Sequence, residues 1–166
     1  MRAVIFAGVN GAGKTTFARR LLELEPSPFQ FLNADEIKRE LGHGASDIEA
    51  GRLLITKLNA RVQLRQSFAL ETTLSSTRYA RQIQSWQAQG YEVELHYLEL
   101  ASAEAAIDRV ATRVAAGGHH IAEADIRRRF ARSKQMFENV YKSTVDIWYH
   151  YASEDGAERL IDEGSN

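Results

Sequence analysis

The chain has 166 residues, 44% hydrophobic and 26% charged, with a net charge of −1. That suits one α/β-sized domain over residues 1–166 with its own core, and it gives no whole-molecule attraction for nucleic acid. Cysteine is absent, which excludes disulfides and thiolate metal sites. No apolar run approaches the ~20 residues of a membrane helix, and the N-terminus lacks a signal-peptide layout, so a cytoplasmic protein without a membrane partner is expected.

Residues 3–7, all apolar, predict a short buried strand. Gly8, Gly13, Lys14 and Thr15 then stand at the G-x-x-x-x-G-K-[ST] spacing of a phosphate-binding loop, filled in by Val9, Asn10, Gly11 and Ala12 and followed by Thr16. Residues 14–25 carry Phe17, Leu21, Leu22 and Leu24 at helical spacing. Strand, glycine-rich turn and helix are the context in which this motif works. Glycines let backbone N–H groups curl around phosphate oxygens, and the helix N-terminus adds partial positive charge. Lys14 is expected to reach the β- and γ-phosphates of ATP, and the Thr15 hydroxyl to hold Mg²⁺.

Pro26 and Pro28 predict a turn, and residues 29–32 a second strand ending at Asn33, Ala34 and Asp35. A short helix over 36–41 breaks at Gly42 and Gly44; a long one follows to about residue 66, capped by Asp47. Residues 68–70 predict a third strand running into Glu71, Thr72 and Thr73. A helix over 77–89 stops at Gly90, and residues 91–100 form the clearest strand. Helices over 103–116 and 122–141 flank Gly117 and Gly118. The tail offers aromatic residues 148–151 and a last strand at 159–161; Trp86, Trp148 and the tail aromatics are expected in the core.

Strands alternating with helices imply a parallel sheet covered on both faces, with ligands beyond the carboxyl ends of its strands. The phosphate loop, Asp35 and Glu71 converge on that rim. Asp35 suits the carboxylate that orients an acceptor hydroxyl and takes its proton; a helix cap would use the same residue at the same junction. Glu71, Thr72 and Thr73 suit acceptor hydroxyls or water around Mg²⁺, and equally an ordinary polar loop. Residues 23–50 hold seven acidic and two basic side chains, net −5, whereas residues 101–135 hold seven basic and four acidic, net +3. Within the basic segment Arg109 and Arg113 are four apart on one helix, and Arg128 and Arg132 repeat the spacing on the next. Guanidinium forks bind phosphate oxygens in pairs, and Gly117 and Gly118 would let such a lid close. His119 and His120 fit a lid contact better than a metal pair, having no third ligand nearby in sequence.

These segments together resemble the zeta-toxin-like P-loop kinases, more narrowly their small stand-alone branch: the phosphate loop, residues 33–35, residues 71–73, and Gly117 to Ile121 with the arginine-rich helix to Ser133. The likeness runs to about residue 153. It implies a three-layer, nucleotide-kinase-like P-loop NTPase fold with an arginine-rich helical lid. It also implies an ATP- and Mg²⁺-dependent kinase whose acceptor, in the characterised toxins, is a hydroxyl of a UDP-activated amino sugar. Asp35 would match the catalytic base and Lys14 and Thr15 the nucleotide and Mg²⁺ residues. Glu71, Thr73 and His119 would bind substrate, and Arg113 with Arg128 or Arg132 would sit near the transferred phosphate. An antitoxin protein is an implied partner. The chain departs from the branch at Ala122, where proline is usual, and at Tyr151, Ala152 and Ser153. Two other readings stand beside this one: a kinase acting on a nucleic-acid end, for which no aromatic-interleaved basic groove is present, and a non-catalytic ATP-binding partner protein. Transport ATPases and switch GTPases are excluded by the missing signature segment and guanine motif.

Overall fold

The computed structural model describes residues 1–25, 29–42, 44–118, 120–154 and 156–166; the turn expected at Pro26 and Pro28 lies outside them. The elements are β1 (Arg2–Gly8), α1 (Lys14–Leu22), β2 (Gln30–Leu32), α2 (Ala34–Leu41), α3 (Asp47–Gln63), β3 (Phe68–Thr72) and α4 (Arg78–Ala88). Then come β4 (Glu92–Glu99), α5 (Ala103–Ala115), α6 (Glu123–Met136), a π-helical turn (Phe137–Tyr141), β5 (Ile147–Glu154) and β6 (Ala157–Ser165).

Among the described residues one sheet runs in the order β2-β3-β1-β4-β5-β6. Its first five strands are parallel, as the alternating pattern requires, and β6 returns antiparallel to β5. β1 is buried on both faces. Ala3, Ile5 and Ala7 pack with Leu54, Leu58, Ile83 and Tyr141 from α3, α4 and the π turn. Val4 and Phe6 face Phe17, Val110 and Ile126 from α1, α5 and α6. Burying a side chain such as Phe6 contributes roughly 1.5–3 kcal/mol. β1 is paired on either side by β3 and β4, so the chain reverses direction across the sheet at β1 and opens a crevice beyond the strand ends there.

Four local expectations are corrected. The cap of α3 is Ser46: its hydroxyl accepts from Glu49 N at 3.2 Å, and the Glu49 carboxylate accepts from Ser46 N at 2.8 Å. Asp47 is the first helical residue. The long helix expected over 122–141 is α-helical only to Met136 and widens into a π turn at Phe137, which brings Phe137 and Tyr141 into the core and lets the Tyr141 hydroxyl donate to Ser76 O at 2.7 Å. The last strand is longer than residues 159–161 and mostly exposed, so its polar composition hides it. Trp86 is buried as expected, but Trp148, Tyr149 and Tyr151 are half-buried, and the Lys142 ammonium lies 4.3 Å from the Trp148 ring centroid.

Candidate active site

The phosphate loop links the carboxyl end of β1 to α1. Gly8 has φ 140°, and a Cβ there would lie 2.3 Å from the Leu98 carbonyl oxygen of paired β4, so only glycine fits. Gly13, at φ 83°, caps α1 in the left-handed conformation without any side-chain cap bond. The N–H groups of the first turn, which include Thr15 and exposed Thr16, therefore have no side-chain cap competing with an anion. Ala12 is buried, its N–H donating to Val9 O at 3.2 Å, and Gly11 packs against Ala106 of α5.

Lys14 is 6% exposed; its Nζ donates to Val9 O at 3.0 Å and lies 3.8 Å from Glu71 Oε1. Burial lowers its pKa, opposed by the charges of Glu71 and Asp35 and assisted by Arg113 and Arg129. Four groups named by the sequence or near it thus act on one ammonium.

Asn33 joins the rim. Its Oδ1 accepts from the N–H groups of Asp35 and Glu36 at 2.8 and 3.2 Å, capping α2, while its Nδ2 donates to Glu71 Oε2 at 2.6 Å. The Thr15 hydroxyl donates to the same Glu71 oxygen at 2.8 Å. Because Asn33 supplies the cap, the Asp35 carboxylate is left exposed, and no described residue hydrogen-bonds it. A hydroxyl and a carboxylate are hard oxygen ligands suited to Mg²⁺, which takes few protein oxygens and completes its shell with phosphate and water, while the Asn33 amide turns its nitrogen to Glu71 and supports that carboxylate. No group of three or more His, Asp or Glu among the described residues could hold a metal by itself. The donor set fits an ion shared with a bound nucleotide.

Two cavities meet at Asn33 and Asp35. One, of 510 Å³, is lined by Lys14 and Asn10, by Glu71 and Thr73, and by Arg128 and Arg129 of α6. Thr73 Oγ1 lies 3.1 Å from Ser75 Oγ in its wall. The other, of 820 Å³, lies between Thr15, Lys38 and Arg39 on one side and Arg113, Gly117 and Gly118 on the other.

The expected lid arginines separate. Arg113 lines the larger cavity, and Gly118 sits so close that a Cβ there would approach its Cγ to 2.6 Å. Arg128 lines the smaller cavity and pairs with Asp125 at 2.6 Å. Arg132 is exposed and lines neither cavity. Arg129, which the spacing argument passed over, reaches the phosphate loop: its Nη1 donates to Asn10 Oδ1 at 3.1 Å. Arg109 is directed elsewhere, to the Ser153 hydroxyl at 3.0 Å. His119 lies outside the described residues, and His120 lines the smaller cavity. Ala122 caps α6 with no side-chain bond. No helix among the described residues is long and apolar enough to cross a membrane.

A family model described as an AAA domain matches residues 4–140. An uncharacterized protein of Haemophilus influenzae is 28% identical over 133 residues, which span 78% of this chain and 92% of the relative. A solved chain from the PezAT chromosomal toxin-antitoxin system of Streptococcus pneumoniae superposes with a TM-score of 0.75 at 15% identity, over 98% of this chain and 70% of that one. Deoxyadenosine kinase from M. mycoides, solved with bound dATP, superposes with a TM-score of 0.52 at 15% identity, over 92% and 91% of the two chains. At such identities the superpositions establish the fold alone. The sheet order, the glycine loop between β1 and α1 and the match over residues 4–140 lead to one conclusion: the chain belongs to the AAA-domain family, built on a P-loop kinase-like fold.

Proposed function

We propose that this chain is an ATP-dependent phosphotransferase that moves the γ-phosphate to a hydroxyl of a small acceptor, a UDP-activated amino sugar. The observation that carries the reading is the free Asp35 carboxylate where the two cavities meet, beside a buried lysine and the Thr15–Glu71–Asn33 cluster. Lys14 and the uncapped start of α1 bind and neutralise the phosphates. Thr15, with Glu71 behind it, would hold Mg²⁺, which when bound offsets charge on the phosphate oxygens. Asp35 orients the acceptor hydroxyl and takes its proton as the oxygen bonds to the γ-phosphorus and ADP leaves. Arg129 orients the loop through Asn10, and Arg113 and Arg128 offer guanidinium groups to phosphate oxygens from either side. Glu71 supports the metal side of this scheme; Thr73 and the lid, His119 included, remain for the acceptor. An antitoxin partner and a cytoplasmic setting belong to the same reading.

Transfer from γ-labelled ATP with Mg²⁺ to UDP-sugars, other nucleotides and oligonucleotide ends tests it, with Asp35→Asn beside wild type. A labelled UDP-sugar is expected, with turnover in Asp35→Asn down at least about 100-fold and ATP affinity retained. Label on oligonucleotides instead would make the acceptor a nucleic-acid end. ATP binding without transfer to any acceptor would leave a binding protein.

A further inference from the structure

The smaller cavity has walls that the transfer chemistry leaves unused. Helix α3 presents Gly51 to it. This glycine lies inside a 17-residue helix, has no left-handed φ, and a Cβ built on it meets nothing within 4 Å. Glycine weakens a helix interior relative to alanine, and here neither a turn nor packing requires it. What the residue preserves is open space against the helix backbone, inside the cavity that Lys14 and Asp35 also line.

Arg78, the first residue of α4, lines the same cavity. Of the cations beside it, Arg128 pairs with Asp125, Arg129 with Asn10 and Lys14 with Val9 O, and the scheme above already assigns all three to the transferred phosphate or to the loop that holds it. The Arg78 guanidinium is exposed, and no described residue pairs with it. An uncommitted planar cation in a site for phosphoryl transfer matches an anionic oxygen group on the second substrate, because its fork binds two oxygens of a phosphate at once.

We propose that Gly51 and Arg78 form the subsite that selects the acceptor. The acceptor's ring lies against α3 at Gly51, and a phosphate or diphosphate ester on it is held by Arg78. The substrate class is a cyclic, hydroxyl-bearing phosphoester: a sugar phosphate, a nucleotide or a nucleotide sugar. This rests on the acceptor occupying the smaller cavity, as in the reading above. Gly51 and Arg78 touch neither the phosphate loop nor Asp35 in that scheme, so they govern which acceptor enters and leave nucleotide binding alone.

Calorimetric binding tests the subsite, with the nucleotide site filled by a non-hydrolysable ATP analogue and Mg²⁺. The probes are UDP-N-acetylglucosamine, UMP, glucose 6-phosphate and uncharged N-acetylglucosamine, against wild type, Arg78→Ala, Arg78→Lys, Gly51→Ala and Gly51→Leu. At least one phosphorylated probe should bind wild type, and N-acetylglucosamine should not. Arg78→Ala should weaken that probe tenfold or more and Arg78→Lys by less. Gly51→Leu should weaken it as strongly, while Gly51→Ala raises the Tm of the ligand-free protein. Affinity for the ATP analogue should stay within twofold throughout. The proposal is overturned if no phosphorylated probe binds wild type, if the neutral sugar binds equally well, or if Arg78→Ala leaves binding unchanged. Transfer is measured in parallel. A probe bound through Gly51 and Arg78 that accepts no phosphate overturns the kinase reading and leaves the subsite standing.

Discussion

Replacing Lys14 by methionine should make the protein more stable and unable to use ATP. The ammonium is 6% exposed and donates to one carbonyl, at 3.0 Å, while the nearest carboxylate oxygen is 3.8 Å away. Burial dominates its surroundings and holds its pKa below the ordinary 10.5, even though Glu71 and Asp35 pull the other way. A poorly compensated buried cation costs several kcal/mol. Methionine keeps the length of the side chain and its apolar contacts but removes that cost. Against the gain stand the bond to Val9 O, about 1–2 kcal/mol, and the attraction of the two carboxylates. The expected net is a gain of about 1–2 kcal/mol in the free protein, or roughly 2–8 °C in Tm for a chain of this size. Differential scanning calorimetry with and without ATP and Mg²⁺ reads both halves, since the rise in Tm that ligand gives wild type should vanish in Lys14→Met. The pH dependence carries a second signature. The folded state holds the Lys14 proton less tightly than the unfolded chain does, so wild-type stability rises with pH between the folded pKa and 10.5, and the variant should lack that rise. A Lys14→Met protein less stable than wild type, yet still stabilised by ATP, would refute the reasoning.

Two further outcomes concern Glu94 on β4 and Gly8 at the end of β1. Burial pushes the Glu94 carboxyl up, but hydrogen bonds from His96 and Arg2 outweigh it and hold the group at about 2. Its contribution is therefore complete above 4.5 and lost as pH falls from 4.5 toward about 2; Glu94→Gln should flatten acid unfolding in that window, and an identical acid midpoint would clear Glu94 of the role. Gly8→Ala places a Cβ 2.3 Å from Leu98 O at φ 140° and should cost about 2–4 kcal/mol, read from the urea midpoint. A wild-type midpoint would mean that β1 and β4 can part there at no cost.

How much of this was legible beforehand depended on whether a feature is local. The phosphate loop, the buried strand before it and the convergence of Asp35 and Glu71 on one rim follow from adjacent residues and from the rule that ligands gather at strand ends. The arginine-rich helix α6 did not yield in the same way. Arg127, Arg128 and Arg129 point about 100° apart around α6, so only the docking of that helix, through Ile126 and Ser133, decides that Arg129 reaches Asn10. Spacing of four between Arg128 and Arg132 said nothing about that rotation. Ser46 and Glu49 did carry a readable capping signature, and Asp47 beside them drew the assignment away. The π turn at Phe137 and the exposed strand β6 are set by tertiary contacts, with Tyr141 reaching Ser76 and β6 pairing along β5. Neither leaves a periodicity to find.

Asn33 does two jobs with the two ends of one amide, and the consequence is chemical fragility. The oxygen end starts a helix and the nitrogen end steadies Glu71. Hydrolysis of that amide to a carboxylate, a change of a single atom's identity and a slow fate of asparagine side chains, would keep the helix start and set two negative charges against each other at 2.6 Å. The junction would age from within while the fold around it looked intact. Its near-complete burial, at 5% exposure, keeps water and backbone motion away from the amide for as long as the domain stays folded.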